Sequence, residues 1–346
     1  MYLSSFQYFR GVAILFIVAG HCLFVSDWRI DTQVERIVAN LVLGGTALFV
    51  FISGFLFHHV YYRRQPFDYR RFLAVKFSYV FVPYLAMSVY PLAGLIGGHD
   101  GAGLGPPVTA PYHGWQAALF YLGTGSHSFA YWYIPFVMVM FLLSPLFVRF
   151  IEMRGNRQVP AIIALILVAM IIHRPVDNFY LPQSVLYFTP LYLLGIVASL
   201  RKERIYAMFR GRAALTGLLG TAVALAMLHA FLHSWVGNFH KEMFRLTTLD
   251  LILPQKILLC LFFMVYLARY EGRPLRALDL LARVSFPVFF IHPLVISLFL
   301  RFELRPPVPG PFGWILFTTI VLLVSIALAL LVKRCVPRYS RYLIGY

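Results

Sequence analysis

The sequence predicts an all-α polytopic membrane protein of about ten transmembrane helices with both termini in the cytoplasm. Three observations predict it. Of 346 residues, 60% are hydrophobic and only 12% are charged, about half the charged share of a soluble domain. The apolar residues come in long continuous blocks without period-two alternation, which excludes a transmembrane β-barrel. The basic residues gather in alternate short loops between the blocks. The net charge of +17 is thereby a topology signal, and no nucleic-acid partner is expected.

Ten blocks are long enough, or nearly so, to cross about 30 Å of hydrocarbon. The first, 6–26, has one positive charge ahead of its apolar run and ends in "AGHC" without a small-x-small cleavage site. It reads as a retained helix and not as a signal peptide. Blocks 37–58 and 72–96 follow. An outer loop, 97–128, then carries no Lys or Arg, is rich in Gly, Pro and His, and has the length of a functional loop. Blocks 129–150, 159–173 and 185–200 come next, the last two being the shortest. Blocks 213–233, 251–269, 284–300 and 312–333 complete the set. With the N-terminus inside, every inner loop with its flanking turns holds at least three Lys or Arg, and no outer loop holds more than two. A missed helix would invert that alternation downstream of the error. Arg10 and Lys256 fall well inside spans. The chain reads as a single transmembrane domain over 1–346 with no repeat and no appended soluble domain. Cys22, Cys260 and Cys335 suggest neither a disulfide framework nor a metal site. His229 and His233 share a helix face but lack a third ligand, so they read as interfacial histidines, and no metal is expected.

Ionisable groups inside spans are the informative ones. In "FRGVAILFIVAGHC", Arg10 and His21 are eleven residues apart, about 1100° of helical rotation, some 20° past three turns. They project from one face, about 16.5 Å apart along the axis. A snorkelling arginine and a hydrogen-bonded helix-contact histidine would account for each alone. Together they suggest a polar cavity running inward from the cytoplasm, with a phosphate-bearing ligand at Arg10 and its reactive end at His21, a candidate general base. No orienting partner for His21 is legible; Asp27 lies 240° round the helix. Ser53 and Gly54 in "FISGF" read as a close-packing pair or as cavity wall. Trp132 and Tyr133, beside Tyr131, read as an interfacial aromatic belt or as part of a substrate site. His292 precedes Pro293 in a span that also holds Pro287, so a bent helix with freed carbonyls is expected there. His292 is then either ligand-facing or structural. Nucleophile elbows, P-loops and dinucleotide fingerprints are absent.

These residues carry a resemblance. "FRGVAILFIVAGH" resembles the Arg-x10-His signature that opens the acyltransferase-3 family of integral membrane acyltransferases. "FVFISGFL", "KFSYVFVPYL", "YWYIPFVMVMFLLSPL", "LYLLGIV" and "VSFPVFFIHPL" resemble later landmarks of that family in order, from about Tyr8 to Leu294. The resemblance implies transfer of an acyl group, acetyl by default and succinyl or longer as alternatives. The donor would be cytoplasmic acyl-CoA, acetyl-CoA above all, as co-substrate with no permanently bound cofactor. The acceptor would be a hydroxyl of a lipid-linked or cell-surface carbohydrate at the bacterial plasma (inner) membrane. His21 would be the catalytic histidine and Arg10 its partner in handling acyl-CoA. Lys76 with Arg71 and Arg70 would meet the CoA phosphates. Ser53, Trp132, Tyr133 and His292 complete the candidate substrate site. One departure stands out: members often carry two basic residues three apart before Pro-Tyr, whereas this chain has Lys76 and then Tyr79. Two other readings of the same residues are a proton-coupled transporter and a translocator that hands the acyl group to a separate partner. Against the transporter, the two five-span halves show no correspondence of broken segments.

Overall fold

The computed structural model describes residues 3–63, 66–96, 112–304 and 308–346. It is 76% helical and has no strand among those residues. Eight of its helical spans are long and apolar enough to cross a membrane: Ser4–Leu23, Gln33–Tyr62, Tyr69–Ile96, Gly155–Ile172, Leu181–Leu200, Arg212–Leu232, Arg276–Arg301 and Gly310–Cys335. A ninth is the pair Tyr133–Leu142 and Ser144–Glu152, bent by 53° where Pro145 withholds an N–H at the start of the second helix. The remaining expected span, the eighth block, is Ile252–Ala268, at 17 residues a little short of a full crossing. The ten segments match the ten expected blocks one for one, with several extended by a turn or more. The ninth expected block gains most, because the amphipathic turns from Arg276 onward continue its helix.

We label the elements that build the site. Helix α1 is Ser4–Leu23, α2 is Gln33–Val42, α3 is Thr46–Leu56, α4 is Tyr69–Lys76 and α5 is Val82–Ile96. Helix α6 is Gly114–Thr124, α7 is Tyr133–Leu142, α8 is Ser144–Glu152, α9 is Gly155–Ile172 and α10 is Leu181–Leu200. Helix α11 is Lys202–Met208, α12 is Arg212–Leu232, α13 is Ile252–Ala268, α14 is Arg276–Arg301 and α15 is Gly310–Cys335.

Hydrogen bonds tie alternate loops together at the two ends of the bundle. At the basic end Ser4 donates to Glu271, Arg201 to the Gly155 carbonyl and Arg269 to the Arg210 carbonyl. At the other end the Lys241 amide donates to the Arg174 carbonyl and Arg36 to the His233 carbonyl. The first end, by the positive-inside rule, faces the cytoplasm.

Two expectations are corrected. The second block, expected as one helix over 37–58, is interrupted between α2 and α3 by extended Leu43 and by Gly44 at φ +84°. Only glycine enters that backbone region freely. The break also brings Gly45 onto α1, where a Cβ would meet Phe16 and the Ile17 amide at 3.0–3.1 Å. The carbonyls released at the end of α2 are taken by Lys256, whose Nζ donates to Asn40 O at 3.1 Å and Leu41 O at 2.7 Å. Cations suit that end of a helix. The long outer loop is the second correction. Its 97–111 portion lies outside the described residues, but Gly114–Thr124 forms the helix α6, closed by Gly125 in the left-handed conformation.

Close packing accounts for Gly54. A Cβ there would overlap the Tyr192 carbonyl, and a Cβ on Gly195 of α10 would overlap the Phe51 carbonyl. Helices α3 and α10 therefore meet backbone to backbone, as small residues permit within membranes. We expect Gly54→Val and Gly195→Val each to destabilise the detergent-solubilised protein by about 1–3 kcal/mol through overpacking. Gly220→Ala, which meets nothing within 4 Å, should be neutral or slightly stabilising in the same thermal-unfolding measurement.

Candidate active site

Helices α1 and α14 lie side by side along the face that carries Arg10 and His21. Near the cytoplasmic end Arg10 Nη2 donates to Ser285 Oγ at 2.9 Å and Nη1 to Gln7 Oε1 at 3.2 Å. Farther out, His21 Nδ1 and His292 Nε2 are 2.9 Å apart, with the two rings nearly coplanar in orientation at 3°. Proline shapes this partner helix. Pro293 cannot donate to the preceding turn, and side chains bond carbonyls there: His292 Nδ1 reaches Val288 O at 2.8 Å and Tyr131 OH reaches Phe290 O at 2.9 Å.

The tautomers follow from these contacts. A carbonyl only accepts, so His292 Nδ1 carries a proton and, in the neutral ring, Nε2 has a lone pair. That lone pair accepts the Nδ1 proton of His21. The remaining nitrogen of His21, Nε2, is left as an acceptor, the form a general base requires. His292 is fully buried, whereas His21 is half-buried and lines a cavity of about 370 Å³.

That cavity lies at the outer end of the expected face. Its walls come from the outer end of α1 (Phe16, His21, Phe24), the helix break (Gly44, Gly45, Thr46) and the aromatic segment (Phe129, Trp132, Tyr133), and its roof from Arg174, Asn178, Asn238 and His240 of two outer loops. Among the described residues no inner-loop residue lines it, and neither does Arg10. The shared face of Arg10 and His21 packs on α14, with Ser285 against Arg10 and His292 against His21. A parallel backbone bridge between Arg174 and His240 holds the two outer loops together. Burial, with the charges of Arg174 and His173, pushes His240 down to about 3, so this wall contributes one guanidinium and a neutral imidazole.

Trp132 and Tyr133 line the cavity and Trp132 is buried, so they are not an interfacial belt. The indole lies 5.1 Å from the Arg174 guanidinium and stacks on Phe188. Ser53 faces the Tyr133 hydroxyl one layer deeper and does not reach the cavity. His229, in the last turn of α12, is buried against His233 and Trp235. No three residues of metal-ligating type come together among the described residues.

The candidate CoA cations do not converge on His21. Arg70 and Arg71 are exposed on α4. The Lys76 ammonium sits 4.7 Å from the Tyr61 and Phe141 ring centroids and 5.4 Å from that of Phe72, a cation–π cage. At Tyr79, where the resembled motif would place a second basic residue, the chain brings a cation from elsewhere. The Arg341 guanidinium lies 3.5 Å over the Tyr79 ring.

Against known families, residues 3–334 match an acyltransferase domain, that of acyltransferase-3 proteins. The chain belongs to the acyltransferase-3 family. No curated protein and no solved structure matches it. Membership makes the chain a multi-pass membrane acyltransferase. Sequence reasoning singled out His21 as a candidate but not its hydrogen-bond partner, because no periodicity links two histidines 271 positions apart. Arg174, Asn178 and Asn238 were missed as well. A lone arginine in a short outer loop gives no signal beyond running against the positive-inside trend.

The hydrogen bond assigns His292 a positioning role that substitution can separate from packing. Glutamine can accept from His21 Nδ1 and donate to Val288 O; alanine can do neither. We expect His292→Gln to keep acyl transfer within about tenfold of wild type, and His292→Ala to lose about a hundredfold or more in kcat with little change in KM. Steady-state kinetics in detergent or nanodiscs checks both.

Proposed function

We propose that this acyltransferase moves an acyl group, acetyl by family resemblance, from cytoplasmic acyl-CoA to a sugar hydroxyl of a lipid-linked or envelope glycan in the bacterial plasma membrane. The observation that carries the proposal is His21 Nε2, unprotonated at a cavity wall while Nδ1 is committed to His292. Nε2 removes the proton from the acceptor hydroxyl, and the oxygen attacks the thioester carbonyl. The carbon–sulfur bond breaks, and the departing CoA thiolate takes the proton back from the imidazolium. In this reading the exposed Arg70 and Arg71 meet CoA phosphates at the inner end, with Arg10 and Lys76 farther along.

One observation favours a second reading. Outer loops roof the cavity, whereas acyl-CoA is cytoplasmic. An acyl group carried on His21 reconciles the two sides. In that route Nε2 attacks the thioester carbonyl, the carbon–sulfur bond breaks and CoA leaves as the thiolate while the Nδ1 proton moves to His292 Nε2. The acceptor hydroxyl then attacks the acyl-imidazole from the outer side, the carbon–nitrogen bond breaks, His292 returns its proton to Nδ1, and water takes the hydroxyl proton.

Free-CoA release from acetyl-CoA by the purified protein tests both. The relay predicts a burst of about one equivalent without acceptor, and the general-base route predicts release only with acceptor. Either route predicts loss of about a hundredfold or more in His21→Ala. Release that persists in that variant sinks the assignment.

A further inference from the structure

The outer wall of the His21 cavity holds a cation with no bonded counter-ion. Arg174 is nine-tenths buried and lines the cavity. Its Nη2 donates to Asn178 Oδ1 at 2.6 Å, its Nη1 to Asn238 Oδ1 at 3.4 Å, and its Nε has no hydrogen-bond partner. The aromatic faces of Trp132 and Phe188 flank it at 5.1 and 5.6 Å. All these partners are neutral. Asp250 is the one buried carboxylate among the described residues, and its charge acts on Arg174 and Lys256. Its oxygens are already engaged: Oδ2 accepts from Tyr187 OH and Asn238 Nδ2, and Oδ1 accepts from the Ile252 and Leu253 amides. No carboxylate oxygen is therefore bonded to the Arg174 guanidinium among the described residues.

A buried guanidinium without a bonded anion is costly, and a ligand anion removes that cost. Two neutral amides fix the direction of the fork, which presents its planar donors as a carboxylate or phosphate requires. A second feature points to the same space. Gly45 and Thr46 line the cavity where α3 begins, so the positive end of that helix dipole faces it. At about 370 Å³ the space lies at the small end of ligand-sized cavities.

We propose that Arg174 and the first turn of α3 bind an oxyanion group of the acyl acceptor, a phosphate or a carboxylate, and so present a neighbouring hydroxyl to His21. The inference rests on the acyl-transfer reading for its purpose, but anion binding itself does not depend on turnover. Such an acceptor is either a sugar on a phosphate-bearing carrier or an acidic sugar, and the two are separable with simple probes.

The full-length protein in detergent is titrated with inorganic pyrophosphate and, separately, with glucuronate, and binding is followed by thermal shift. Wild type should bind one of them; pyrophosphate identifies the phosphate source and glucuronate the acidic sugar. Arg174→Gln should weaken that binding at least tenfold. Asn178→Asp guards against loss of fold, because it places a carboxylate where an oxygen already accepts from Arg174. That variant should melt at or above the wild-type temperature while losing anion binding at least tenfold, whereas a purely structural Arg174 would leave anion binding untouched. Binding of neither probe to wild type, or undiminished binding to Asn178→Asp, overturns the proposal. If the anion binds as expected while His21→Ala still releases CoA, the acyl-transfer reading fails and the anion site stands.

Discussion

The contact between α1 and α14 is the constraint on which the site depends. One polar pair near each end pins the register: Arg10 on Ser285 and His21 on His292. In hydrocarbon these groups have no water to turn to, so leaving either pair unmade is costly. Gly11 lets the helices approach, since a Cβ there would press on the Leu278 carbonyl at 2.7 Å. Trp314 of α15 anchors the far side by donating to Ala19 O at 2.8 Å. A slip of this interface by one residue would rotate His21 away from His292 and out of the cavity.

Around that pair the protein spends irregular backbone where a site needs it. The break at Leu43–Gly45 opens a helix start beside His21, and Lys256 satisfies the carbonyls that the break releases. The prolines of α14 leave it a single helix, Arg276–Arg301, yet side chains from α7's approach and from its own turn bond its carbonyls. Non-helical backbone at this depth is tolerated where it lines a cavity, which is where it occurs here.

Much of the fold was legible in the sequence because membrane spans write themselves as apolar length, and loop charge writes their direction. The ten blocks and the alternation of basic loops needed no tertiary information. His21 was legible because an imidazole deep in an apolar run is costly. The interruption at Gly44 was not, since a glycine pair inside an apolar run fits an unbroken helix equally well. Arg10 and His21 do share a face, but periodicity cannot say whether a face meets a cavity or a neighbouring helix. The aromatic residues at 131–133 look like an interfacial belt from their depth alone; only packing shows Trp132 buried against Phe188 and Arg174. The pairing of His21 with His292 joins distant parts of the chain and left no local trace.

The most direct test of the account is the protonation pattern of His21. In NMR of the solubilised protein with isotope-labelled histidine, the account predicts a neutral His21 protonated at Nδ1 and not at Nε2, with that preference lost in His292→Ala. A His21 ring protonated at Nε2 in the wild-type protein would contradict it, because the nitrogen facing the cavity would then have no lone pair with which to take a proton or an acyl group.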